Sequence, residues 1–387
     1  MEVYVLDSLL RRERVIDLYE SLIWTERFNA AGDFVLTIRS TLENRAVLRP
    51  GVHLAMQASW RVMKIETVEI STDPRGQRIL RVSGFSLESL LMDRIAMLSL
   101  TAATWPIEDE PADIARKIFD DICRTGVLSL DDKIPFLMPG NLLPLGNIPE
   151  PIDPIKIDFP PKTVYDAIKA ICDVYTLGFR LVRNYDASEL YFEIYSGYDR
   201  TSGQATQAPV IFSPDLDNLE NTKELSSIES SKNVAYVVSP AGSLVVFPVG
   251  VAPDTEGFDR RVLFVDASDI TEESVTDVTI ALEQRGKEEL AQYRAFQAFD
   301  GEISQTGPYL YQKDYTLGDL VEMRNVDGVI NHMRVTEQIF VSDAEGTRSY
   351  PTLTMNQFIN LGSWLSWEQN KVWLDYEGDP ITWSELP

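Results

Sequence analysis

The chain of 387 residues is 44% hydrophobic, 10% aromatic and 25% charged, which excludes a disordered chain and a disulfide-stapled miniprotein and leaves room for two or three domains with cores of their own. Asp and Glu number 60 against 35 Lys and Arg, a formal charge of −25, so general binding to a phosphate backbone is disfavoured. With Cys123 and Cys172 the only cysteines and His53 and His332 the only histidines, zinc sites built from several His or Cys are nearly excluded, and triad catalysis would have to draw on one of the two histidines.

At the N-terminus, Leu6 to Leu10 is broken by Asp7 and followed by Arg11, Arg12 and Arg14, unlike a signal peptide, and no apolar run in the chain approaches the roughly 20 residues of a membrane span. The first hundred residues read as sheet. Phe34, Leu36 and Ile38 alternate with Thr37 and Arg39, the period of a strand with one buried face. Arg61 to Ile70 and Gln77 to Phe85 flank Asp73-Pro74-Arg75-Gly76, which suits a type I turn and predicts a hairpin. Leu87, Leu90, Leu91 and Ile95 follow helical spacing after Ser86.

From about Leu100 the character changes. Pro111 precedes Ile114, Ile118 and Ile122 on one helical face. Eight prolines from Pro135 to Pro161 then forbid continuous helix and predict an ordered surface excursion or linker. Thr163 and Asp166 fit a capping box ahead of the stripe Val164, Ile168, Ile171, Cys172 and Tyr175, with Gly178 as the expected stop. The two cysteines sit in these helical stretches, where a free thiol packs as a small hydrophobe. Phe179 to Arg183 and Leu190 to Tyr195 read as a hairpin, so this segment is α+β.

Beyond Ser230 strands dominate again, at Val234 to Val238, Leu244 to Val249 and Arg261 to Val265. One long helix, from about Thr276 to Gln297, interrupts them with a stripe of Leu282, Gly286, Leu290 and Tyr293, whose glycine predicts close approach of another backbone. A closing meander runs through Leu320 to Asn325, Val329 to Val341 and Thr347 to Leu353. The domains expected from this pattern are a β domain over 1–98, an α+β insertion over 99–230, a second β domain with the long helix over 231–360 and a Trp-rich extension over 361–387.

Chemistry-bearing motifs are sparse. Asp109 with Glu110, and Glu272 with Glu273, read as solvated charges at helix starts. Asp215-Leu216-Asp217-Asn218 starts like a calcium loop but lacks its central glycine and reads as a turn, and His332 reads as a strand residue. No phosphate-cradling glycine loop and no nucleophile elbow occurs. Trp364, Trp367, Trp373 and Trp383 stand apart: so short a segment cannot build its own core, so its aromatics pack on this chain's own surface or dock on another subunit.

The order of elements resembles the hub, or tail-associated, proteins of long-tailed bacteriophages, in particular the Gp37-like minor tail proteins of siphoviruses. The resemblance is carried by Phe34-Val-Leu-Thr-Ile38 with Leu48-Arg-Pro-Gly51, by Val82 to Leu91 with Arg94, by Lys232 to Val237, and most specifically by Asp314-Tyr-Thr-Leu-Gly-Asp-Leu-Val321, and it covers about residues 1 to 355. In Asp314 to Val321, Gly318 and Asp319 suit a turn that launches a strand. The resemblance implies a mainly β fold with an α+β insertion and two tube-like β-barrels per chain. It implies a homotrimeric ring at the virion tail tip, made in the host cytoplasm, that joins the tail tube, distal tail protein and tape-measure protein to tip or receptor-binding proteins and lines the DNA exit path. The four tryptophans are then candidate partner-binding residues. No catalytic residue, metal or cofactor, no sequence-specific nucleic acid and no stable membrane insertion is expected. Competing readings are a receptor- or carbohydrate-binding module using exposed Trp and Tyr, and a cell-wall glycoside or peptidoglycan hydrolase using two carboxylates, which has only the abundance of Asp and Glu behind it.

Overall fold

The computed structural model describes residues 1–72, 76–143, 154–185, 188–248, 256–271, 277–293, 295–303, 309–324 and 330–357. The N-terminal lobe comprises β1 (Val3–Leu6), β2 (Arg12–Ile16), β3 (Ser21–Arg27), β4 (Asp33–Arg39), the short α1 (Leu42–Val47), β5 (His53–Met56), β6 (Val62–Thr72) and β7 (Arg78–Ser86). Its strands run antiparallel in the order β2-β1-β5-β6-β7-β4-β3. The alternation of β4 places Phe34, Leu36 and Ile38 in one core with Val3, Val5, Trp24, Leu54, Met63 and Val82. β1 is buried on both faces: Tyr4 and Leu6 belong to the core of the insertion instead. The hairpin of β6 and β7 forms as its sequence predicts, with most of its turn outside the described residues. Leu87–Asp93 is a 3₁₀ helix that buries Leu87 and Leu91, and Ile95, expected on the same stripe, is exposed on β8 (Ile95–Ala96).

The insertion contains β9 (Trp105–Asp109), α2 (Pro111–Phe119), β10 (Leu137–Met138), β11 (Ile155–Phe159), β12 (Lys162–Thr163), α3 (Val164–Tyr175), β13 (Gly178–Asn184) and β14 (Glu189–Tyr195). Pro111 opens α2 where a missing N–H costs nothing, and Ile114, Ile118 and Ile122 are all fully buried. The last of them lies in the π-helical continuation Asp120–Thr125. The Thr163 hydroxyl accepts the Asp166 N–H at 3.0 Å and caps α3. The stop of α3 is Thr176 in the left-handed region (φ 56°), not Gly178, which opens β13. Phe119 stacks on Phe192 at 3.8 Å in a core shared with Ile168, Ile171 and Cys172.

Farther on come β15 (Asp199–Arg200), β16 (Ile211–Phe212), β17 (Leu219–Ser227), β18 (Val234–Ser239), β19 (Gly242–Val246), β20 (Val262–Asp266), α4 (Val278–Ala291), β21 (Ala295–Ile303), β22 (Leu320–Arg324), β23 (Ile330–Asp343) and β24 (Gly346–Gln357). The predicted helix to Gln297 stops at Ala291, because the chain from Ala295 pairs with β17 on one side and β24 on the other. β18, β19 and β20 form a separate three-stranded sheet with α4 packed on one face. Gly286 of α4 is required there: a Cβ would come within 2.7 Å of the Val246 side chain. The close approach expected of another backbone is thus made by valine side chains. No helix among the described residues is long and apolar enough to cross a membrane.

The fold is mainly β, as expected, and among the described residues no closed barrel is formed. β23 pairs with β3 through Leu22 to Arg27 and Ser342 to Glu337, which fuses the N-terminal lobe and the closing meander into one 14-stranded sheet. Among the described residues that sheet is open, its main path running from β17 at one end to β2 at the other. A second strand core lies across the fusion, built from Phe28, Phe212, Tyr315, Val321, Met333, Val335 and Leu353.

Candidate functional site

The N-terminal lobe, the insertion and the meander meet at the end of β3. Phe28, just past that strand, donates its N–H to the Thr336 carbonyl of β23 at 2.9 Å and accepts the Phe179 N–H of β13 at 3.2 Å. Its ring stands edge-on to Tyr195 with centroids 5.4 Å apart. Glycines admit that ring: a Cβ on Gly178 would lie 2.3 Å from Phe28 Cε2, and one on Gly318, where φ is +90°, would lie 2.4 Å from the same atom. Gly197 completes the contact, since a Cβ there would come 1.9 Å from the Gly318 carbonyl carbon and oxygen. One aromatic side chain thus locks the N-terminal lobe to the insertion and to the meander.

The motif Asp314 to Val321 builds the meander's side of this joint. Its turn launches β22 as the sequence predicts, with the Thr316 N–H donated to Asp319 at 2.9 Å. Asp319 is fully buried and also accepts the Tyr198 N–H at 2.8 Å and Arg200 Nε at 2.6 Å, so one carboxylate holds the turn, the chain leaving β14 and β15 together. Arg334 of β23 donates to the Gly318 carbonyl and lies over the Phe28 ring. Burial lowers the pKa of Arg334 from its ordinary value.

On the other side of the joint lies a buried charge network. Arg61 and Glu88 form an ion pair whose side chains are almost wholly enclosed, and Glu88 also accepts the Leu181 N–H at 2.8 Å. Burial opposes the charge on Arg61, but Glu88, Tyr195 and Glu26 outweigh it and the net shift is upward. Glu26 faces Gln338 across the β3–β23 ladder and accepts the Tyr311 hydroxyl at 2.7 Å. Burial raises its pKa more than Arg61, Ser59 and Tyr311 lower it. Arg180 pairs with Glu193 at 2.7 Å, and the second Glu193 oxygen accepts the N–H groups of Leu142 and Leu143, which ties the Pro-rich excursion to β14. Such pairing fixes geometry more than it adds stability, because desolvation offsets most of the attraction.

A groove of about 850 Å³ borders the joint between α3 and α4. Its cations are engaged: Lys169 with Asp173 at 2.7 Å, Lys162 with Glu288 at 2.9 Å and Arg285 with Asp269 at 2.7 Å. Cys172 borders it, yet burial pushes that thiol well above its ordinary range, and Cys123 is pushed up to about 12 for the same reason. Both cysteines are free and buried. His53 sits in β5, its pKa lowered by burial and by Lys64, and His332 is exposed in β23, so the structure does not bring the two together. Glu110 stands at the N-cap position of α2 beside Asp109 without a side-chain capping bond, and Asp217 ends a 3₁₀ turn. Glu272, Glu273, Trp364, Trp367, Trp373 and Trp383 lie outside the described residues. No group of three or more His, Cys, Asp or Glu side chains among the described residues is placed to hold a metal ion. Sequence reasoning singled out Asp319 and Gly318 through their motif, but it missed Phe28, Gly197, Glu26 and the Arg61–Glu88 pair, which carry no local pattern.

The fold is an open sheet whose lobes are fused across a polar joint, with buried ion pairs holding its elements together. The sequence matches the family described as Siphovirus ReqiPepy6 Gp37-like protein over residues 2–353, and the chain belongs to that family. No curated protein sequence matches it. Among solved structures, it is similar to the tail protein from Neisseria meningitidis MC58, with 16% identity, a TM-score of 0.55 and coverage of 92% of this chain and 97% of that one. It is also similar to the 43 kDa tail protein of prophage MuSo2 from Shewanella oneidensis, with 14% identity, a TM-score of 0.50 and coverage of 91% and 96%. At these identities the likeness is one of fold.

Proposed function

We propose that the chain is a structural subunit of a siphovirus tail, placed at the tail tip as a hub. The observation that carries this reading is the fusion of two strand lobes into one sheet through β3 and β23, in a chain whose fold matches two tail proteins, one of them from a prophage, along more than nine-tenths of its length. Each chain offers two wall segments, one around Trp24, Phe34 and Leu36 and one around Phe212, Met333 and Val335. Three chains therefore offer six, the number that would meet a sixfold tail tube. In this reading the subunit forms a homotrimeric ring between the tail tube, distal tail protein and tape-measure protein above and tip or receptor-binding proteins below.

The strands of the 14-stranded sheet, β15 to β17 included, supply the ring, and the helical part of the 99–230 insertion, with its own core, lies at the periphery. Fused lobes suit a part that transmits load, because backbone hydrogen bonds run from one wall segment to the next without a linker. The formal charge of −25 per chain supports the same role, since carboxylates lining an exit path keep passing DNA from adhering. Native mass spectrometry of the purified chain, alone and with its tail neighbours, tests the reading. A ring of three is expected, together with no release of fragments from purified cell wall. A monomer that stays monomeric with those neighbours, or turnover of peptidoglycan that a single Asp→Asn change abolishes, would overturn it.

A further inference from the structure

The three-stranded sheet of β18, β19 and β20 buries one face on α4 and leaves the other open. Val245, Tyr236 and Phe264 are cross-strand neighbours on a single rung of that open face, 47%, 40% and 67% exposed, and Val238 stands two residues along from Tyr236 on the same side at 41%. Arg260 extends the surface: its guanidinium lies 5.9 Å from the Tyr236 ring and 6.0 Å from that of Phe247. A continuous aromatic and β-branched row with a cation at its rim is a platform for large flat side chains.

A short series of pairings links the end of the described chain to the entry of this sheet. Gln357, the last residue of β24, pairs with Ala295, two positions past Tyr293, and the Tyr293 carbonyl accepts the N–H of Lys232 at 2.7 Å. Lys232 leads directly into Val234, whose rung with Val262 is two residues below the aromatic row, roughly 7 Å along the strand. The thirty residues that follow Gln357 carry Trp364, Trp367, Trp373 and Trp383. An extended chain covers about 3.3 Å per residue, so the 16 residues from Gln357 to Trp373 span up to about 53 Å and the 26 to Trp383 up to about 86 Å, enough to reach the row.

We propose that residues 361–387 fold back onto their own chain and seat tryptophans on the open face of the β18–β20 sheet. The tether decides for the same chain over a second copy. A tether of this length holds its aromatics at an effective concentration on the order of millimolar, about a thousandfold above a micromolar solution of other copies. Indoles on Tyr236 and Phe264 remove the exposed row from water, and Arg260 offers them a cation–π partner. The inference is independent of the tail-hub reading, since it needs neither a ring nor a partner.

The test uses the full-length chain with p-benzoylphenylalanine placed at position 373 or, separately, at position 383. Irradiation followed by peptide mapping is expected to give cross-links within residues 236–264. Mixed isotope-labelled and unlabelled protein is expected to place both ends of each link in one chain. Phe264→Asp, a change at an exposed position, is expected to lower the yield of these links at least tenfold while the thermal midpoint stays within about 2 °C, as befits a surface substitution. Links to any other surface, links between copies, an absence of links from both positions, or a yield unchanged by Phe264→Asp would each overturn the proposal.

Discussion

Removing the Asp319 carboxylate tests whether the joint holds the lobes together. In the native chain this one side chain accepts from Tyr198 N–H at 2.8 Å, Thr316 N–H at 2.9 Å and Arg200 Nε at 2.6 Å, with no exposure of its own and 12% for Arg200. Asp319→Ala leaves a guanidinium without its carboxylate in a nearly dry site and deprives two amides of their acceptor. Breaking a buried pair from one side costs about 3–5 kcal/mol. A chain of this size shifts its thermal midpoint by roughly 1.2 °C per kcal/mol, so the variant is expected to melt about 5 °C lower. Asp319→Asn keeps one acceptor oxygen and is expected to lose about half as much. Differential scanning calorimetry reads the midpoints, and hydrogen exchange at Tyr198 and Thr316 reports whether the loss starts at the joint. Pairing Asp319→Ala with Arg200→Met recovers part of the loss if the stranded guanidinium is the main cost. A midpoint within about 2 °C of the parent, or exchange that rises first elsewhere, would refute the reasoning.

Further outcomes follow from the same geometry. Gly197→Ala, whose Cβ would meet the Gly318 backbone at 1.9 Å, is expected to abolish soluble expression or cost more than about 3 kcal/mol, whereas Gly203→Ala, with no contact closer than 3.9 Å, stays within about 0.5 kcal/mol in urea unfolding. Glu26 has its carboxyl pKa raised by burial, so the folded state holds the proton more tightly than the unfolded chain, and its contribution is full at low pH and lost as pH rises through the folded value. Glu26→Gln is therefore expected to be at least as stable as the parent at pH 7 and to lose that advantage near pH 4; a loss of more than about 2 kcal/mol at pH 7 would mean that Glu26 is needed as an anion beside Arg61. Neither thiol is expected to react with Ellman's reagent in the native protein, and both should react in urea, because burial raises Cys123 and Cys172.

What was legible in the sequence is what is local. The alternation of Phe34, Leu36 and Ile38 and the Thr163–Asp166 capping box each sit within a few residues and are met in β4 and α3. The open sheet was not legible, because Arg27 and Glu337, which pair across its fusion, are 310 positions apart and neither strand's pattern names its neighbour. The helix expected to run to Gln297 ends at Ala291, because β17 and β24 pair with the chain from Ala295 on both sides. Gly178 was legible as a special position for the wrong reason: it makes room for the Phe28 ring, while Thr176 ends the helix. Of the joint, only the Asp314 to Val321 motif gave a signal, since a turn residue such as Asp319 is local but the partners it holds are not.

The central claim, a tail hub made of three chains, is tested most directly by a cryo-electron microscopy reconstruction of the virion tail. The account predicts three copies of this chain around the tail axis at the tip, with β1 to β7 and β22 to β24 in the wall and the insertion outside. A tail whose tip density excludes the chain, or one that carries it in a number other than three, would contradict the account.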